Sequence, residues 1–193
     1  MSKSDASAAK KERNKTIRWV ITIFFVTIFV SGMISFTSNE IMADSTMPVA
    51  FAILLAIILI GIIFDIIGVA VTSADEKPFH SMAARKVPGA QEAIRLLRNA
   101  ERVSSICNDV VGDICGVVSG SASAAIAVQV IENFTFSYPA LITLVMSALV
   151  AGLTVGGKAV GKTFAINSCT KIVHTVGKII WGLRNFPKFL KKK

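Results

Sequence analysis

The sequence predicts an all-α, polytopic integral membrane protein of about four transmembrane helices, with a cytoplasmic helical hairpin and a basic, amphipathic C-terminal helix. Three observations predict it. The 193 residues are 53% hydrophobic with a mean hydropathy of +0.64, high for a soluble domain. Long apolar runs recur at lengths near the ~20 residues that a helix needs to cross hydrocarbon. The 21 Lys and Arg residues are sorted between these runs rather than scattered.

The elements follow in chain order. Residues 1–18 are polar and basic, carrying Lys3, Lys10, Lys11, Arg13, Lys15 and Arg18, and are expected to be a disordered cytoplasmic N-terminus. Trp19–Phe36 is a first span. It is longer than the apolar region of a signal peptide and no A-x-A site follows, so it is expected to be retained. A polar outer loop, residues 37–47 with Glu40 and Asp44, closes this N-terminal region. Pro48–Val71 is the most apolar span and has one charge, Asp65. In the cytoplasmic segment 75–102, Pro88-Gly89 is a turn signal between a helix over Phe79–Lys86 and a second over Ala90–Glu101. Ala90, Ala93, Ile94 and Leu97 lie at helical spacing, so the second helix is amphipathic and the pair is expected to lie against the membrane.

Val103–Ile131 is the third span, and Glu132–Tyr138 a short loop. Gly112, Gly116 and Gly120 repeat every fourth residue with Ser119, Ser121 and Ser123 nearby, a small-residue ridge that suits close helix packing in lipid. Packing within one chain and a homodimer seam are both open readings of it. The fourth span begins at Pro139 and is expected to end near Gly157, completing a core over 48–162. The tail, 163–193, places Ile172, Val176, Ile179, Ile180 and Leu183 on one face, with Lys171, Lys178, Arg184, Lys188, Trp181, Phe186 and Phe189, the pattern of an interfacial helix.

Six Lys/Arg precede the first span, six lie in 77–102 and nine from Lys158 onward, which accounts for all 21 and leaves the other two loops with none. The positive-inside rule then puts both termini in the cytoplasm, in a plasma membrane. The net charge of +9 is read as attraction to anionic lipid, not nucleic acid.

Catalytic signals are weak, and the chain is expected not to be an enzyme. Gly156–Thr163 matches GxxxxGK[ST], but a P-loop needs a preceding strand and a sheet, and a span precedes this string, so the match is read as accidental. Cys107, Cys115 and Cys169 have no zinc spacing and are expected to be reduced, buried thiols. His80 and His174 are isolated and expected at the surface or interface. Asn133-Phe134-Thr135 is a sequon with meaning only in a eukaryotic secretory pathway.

Ionisable residues in the spans carry more information. Asp65 lies in the second span, and Asp109 and Asp113, four apart with Asn108 beside them, in the third. Such groups pair with one another, face a cavity or mark an ion path. Oxygen ligands suit a hard cation such as Mg²⁺. Two readings stay open: a cation path, or structural pairing in which Lys158 or Lys162 neutralises Asp109 or Asp113.

Residues 50–185 also resemble the transmembrane domain of the CNNM family, which includes the CorB/CorC magnesium transporters. Three stretches carry the resemblance: the span ending Thr72-Ser73-Ala74-Asp75-Glu76; the run Gly89-Ala90, Ile94 and Leu96–Arg102, similar to the family's A…LL.N.ER; and Gly157–Thr163, similar to GExxPKT. The resemblance implies a dimeric core, a juxtamembrane helix and Mg²⁺ as the transported ion, with Ser73 or Thr72 keeping the hydroxyl position. The first span is additional to the family core, and the paired CBS domains are expected to be missing. The family's acidic position falls on Lys158, its proline on Gly161, and its two asparagines on Val111 and Cys115. A cation site made of Asp109, Asp113, Asn108, Ser73 and Asp65 is one expectation. Its counterpart is a lysine acting as a permanent internal cation in a non-transporting scaffold or partner subunit of another membrane protein.

Overall fold

The computed structural model describes residues 3–43, 45–133 and 138–190, with side chains from residue 14 to residue 185 apart from 15, 16, 39, 42 and 43. Helix α1 is Lys3–Ala43, α2 Met47–Ser73, α3 Lys77–Ala84, α4 Ala90–Arg98 and α5 Ala100–Ser105. A π-helical segment, Ile106–Gly112, joins α5 to α6, Asp113–Asn133; α7 is Pro139–Asn167 and α8 Cys169–Leu190. No strand occurs among the described residues.

Four helices are long and apolar enough to cross a membrane: Ile17–Ser38 within α1, α2, the continuous stretch Ala100–Asn133, and α7. Prolines mark their starts where an amide is unpaired anyway: α2 has Pro48 in its first turn, and α7 opens on Pro139.

Three boundaries depart from the sequence reading. The basic segment expected to be disordered continues α1 from Lys3, and the polar loop expected at 37–47 is helical through Ala43. Once an apolar run nucleates a helix, each further residue adds a hydrogen bond at little cost, and Ser, Lys and Glu do not stop it. The fourth span does not end near Gly157 but runs on to Asn167. The sequon's Phe134 and Thr135 lie outside the described residues.

Helix α2 is the axis of the fold. Its Gly61 abuts Cys115 and its Gly68 abuts Asn108, so α2 and α6 run antiparallel. Its Ile62 and Ile66 meet Gly157 and Gly161, so α2 and α7 run parallel. Two apolar clusters result. One joins Ala50, Leu54 and Ile58 to Ala122, Ile126 and Val150. The other joins Ala70 and Val71 to Phe79, Ala93, Ala165 and Val173. Helix α1 packs chiefly on α6 and exposes Phe24, Phe25, Phe29 and Phe36. Near the start of its apolar stretch, the Trp19 ring lies 5.9 Å from the Arg102 guanidinium.

The α3–α4 hairpin exists as expected, with its second helix split at Asn99. Contacts within the chain fix it. Phe79 is fully buried beneath it, and Glu76 accepts from Arg98 Nε at 2.9 Å and lies 3.2 Å from His80 Nε2. Gly89, at φ 84°, brings the turn backbone onto α8, where a Cβ would stand 2.5 Å from the Lys178 nitrogen. Gly177 answers it, since a Cβ there would stand 2.5 Å from the Gly89 oxygen. Helix α8 therefore divides its faces. Val173 and Gly177 are buried toward the hairpin, while Ile179, Ile180 and Leu183 remain exposed. His174, expected at the surface or interface, is half-buried, and its Nε2 is buried with no hydrogen-bond partner among the described residues.

Candidate functional site

The two apolar clusters are separated by a polar layer where α2, the π segment and α7 meet. Two glycines on α7 make it possible. A side chain at Gly157 would strike Ile62, and one at Gly161 would come within 2.8 Å of Ile66. Gly157 and Gly161 thus form a small-xxx-small contact that brings the α7 backbone against α2. These are glycines of the GxxxxGK[ST] match. The whole string lies inside a continuous helix, so its amides are engaged in helix bonds and form no phosphate cradle.

Between the two glycines, Lys158 projects into the layer. Its Nζ lies 3.8 Å from Asp65 Oδ1, with side-chain exposures of 25% and 17%. Asp65 sits ~12 Å along the axis from the end of α2, well inside a membrane-length helix. Gly112 lines the same place, since a Cβ there would lie 3.3 Å from the Lys158 Nζ. The lysine's carboxylate is therefore Asp65. Asp109 and Asp113, the partners weighed from sequence, are both exposed on the outer side of the π segment and α6. Asp109 accepts from Ser105 Oγ at 2.8 Å.

Asn108 points the other way. Its side chain packs against Gly68, its Nδ2 donates to Ser104 Oγ at 3.2 Å, and its Oδ1 is buried with no partner. Consecutive helical residues point roughly 100° apart, so Asn108 faces α2 while Asp109 faces outward, and the i→i+5 bonding of this turn displaces both from the register of a regular α-helix.

Of the five residues picked out in the sequence, then, Asp65 and Asn108 line the interior, while Asp109, Asp113 and Ser73 are exposed. Among the described residues, no three His, Cys, Asp or Glu side chains gather around one point able to hold a metal. The three cysteines are free thiols, with Cys107 buried and Cys115 and Cys169 half-buried. The glycine ridge is split: Gly112 faces Lys158, whereas a Cβ at Gly116 or Gly120 would meet nothing within 4 Å.

Fold and site together define a class, an all-helical bundle with four membrane-length helices and a half-buried ion pair where three of them meet. Comparison with known proteins returns no matching family model, no matching curated protein and no matching solved structure.

Proposed function

We propose that this chain is a multi-pass plasma-membrane protein, CNNM-like in its core, that acts as a non-transporting scaffold or partner subunit with both termini in the cytoplasm. The orientation draws its support from the Lys and Arg distribution. The non-transporting reading rests on one observation, the Lys158 ammonium 3.8 Å from Asp65 in the polar layer. A divalent cation a few ångströms from that ammonium meets repulsion on the order of several kcal/mol at an effective dielectric of about 20. The lysine thus supplies the positive charge that Asp65 requires, and it cannot dissociate. Self-association through the open side of α6 is part of the same reading. Gly116 and Gly120 leave room there, and of the exposed carboxylates Asp113 opens that helix while Asp109 lies just before it in the π segment.

A second reading, divalent-cation transport, is favoured by Asn108. Its unpartnered, buried Oδ1 is an oxygen ligand in want of a donor or a cation, and it sits in a π segment, a feature frequent at functional sites. Reconstitution decides between the two. Liposomes holding the purified chain and a Mg²⁺-sensitive dye are expected to show no flux above protein-free vesicles. Flux that falls in Asp109→Asn or Asn108→Ala would establish transport instead.

A further inference from the structure

A cleft of about 230 Å³ opens where the α3–α4 turn meets α8, lined by Lys86, Pro88, Gln91, Glu92 and Trp181. Its chemistry is of two signs. Lys86 stands on the exposed turn in a left-handed conformation, φ 57°. Glu92 is a carboxylate with a side chain only 9% exposed. A buried carboxylate needs donors, or it bears an uncompensated desolvation cost. The one ion-pair partner of Glu92 among the described residues is Arg184, itself 62% exposed, and at 3.8 Å it is beyond hydrogen-bonding distance. Glu92 therefore keeps acceptor capacity inside the cleft. Trp181 adds an aromatic face, which attracts cations.

The surroundings specify where a ligand would come from. Helix α8 exposes Ile179, Ile180 and Leu183 beside Trp181. The hairpin and α8 follow directly on the ends of α2 and α7, at the height of the headgroups if those helices span a bilayer. We infer that this cleft binds a phosphoethanolamine group, with the ligand's primary ammonium on Glu92 and Trp181 and its phosphate on Lys86. A primary ammonium can donate to the carboxylate, whereas a trimethylated choline cannot and a glycerol headgroup has no positive charge. The inference rests on the membrane reading for its lipid source and is independent of the Lys158–Asp65 pair.

The test uses the full chain purified in detergent and mixed with phosphatidylethanolamine, phosphatidylcholine or phosphatidylglycerol, with lipid retention read by native mass spectrometry and melting temperature. Phosphatidylethanolamine is expected to bind about tenfold more tightly than either other lipid. Glu92→Gln is expected to abolish that preference, whereas Lys86→Asn is expected to weaken the binding of all three lipids, since each carries the phosphate. Asparagine tolerates positive φ, so Lys86→Asn keeps the turn and tests the phosphate contact even if Glu92→Gln fails to fold. Soluble phosphoethanolamine provides the second arm. Stabilisation by the free compound at comparable concentration assigns the cleft to a soluble ligand, and stabilisation by the lipid alone assigns it to the bilayer. Equal binding of the three lipids, a preference that survives in folded Glu92→Gln, or affinity unchanged in Lys86→Asn overturns the inference.

Discussion

Replacing Lys158 by Met is expected to destabilise the folded chain by about 3 kcal/mol, because it strands Asp65 in a half-buried layer without its counter-charge. Asp65→Leu alone should cost less. An ammonium on a flexible four-carbon stem can reach toward the headgroups, whereas a short carboxylate cannot. The revealing variant is the pair. Asp65→Leu with Lys158→Met removes both charges together and replaces them with apolar volume, a change that is often neutral or stabilising for buried ion pairs. Unfolding of the four proteins in one detergent should give a double variant more stable than Lys158→Met alone. A double variant that loses the sum of the two single losses would mean the groups are not coupled.

A comparable loss is expected where the hairpin meets α8. Gly89→Val would put a β-branched residue at φ 84° and also drive its Cβ into the Lys178 backbone, 2.5 Å away. Gly177→Val would push against the Gly89 oxygen and, at 3.0 Å, the Ala93 nitrogen. Neither obstacle is the free end of a side chain, so the two elements must separate. A cost of about 3 kcal/mol follows from the strain and the overpacking together. Limited proteolysis should report it as new cleavage in 85–90 and along α8, with the membrane-length helices still protected. Gly182→Ala is the control. Its Cβ would meet nothing within 4 Å, and alanine is the better helix former, so the protease pattern should not change.

Much of this architecture was legible because the bilayer imposes long periods. Four apolar runs, a hairpin around Pro88-Gly89 and an amphipathic tail appear in the helices as read. Boundaries were less legible. Nothing in Ser, Lys or Glu residues ends a helix already propagating from an apolar run, so α1 and α7 overrun the expected ends.

The polar layer was half legible. Asp65 and Asn108 stood out as polar groups in apolar spans and Lys158 as a lysine at the inner end of one, but their pairing did not. The π segment shifts the register of the third span, and no residue type encodes it; without it, Asp109 and Asp113 looked like the natural partners of a lysine on α7. The missed signal was available in another form. Gly157 and Gly161 bracket Lys158 at the four-residue spacing of a helix contact, which places that lysine beside whatever α7 packs on. Taken as part of a phosphate-binding string, the same glycines concealed it. The cleft at Glu92 gave no sequence signal, because the carboxylate sits in an ordinary amphipathic helix and is enclosed only when α8 folds across it.

The enclosed lysine standing in place of a metal ion is the claim on which the functional reading turns. Titration of Mg²⁺ into the detergent-solubilised chain, followed by isothermal calorimetry, addresses it directly. The expected trace is flat, equal to dilution into buffer. A saturable heat at one ion per chain, or per pair of chains, would contradict the claim.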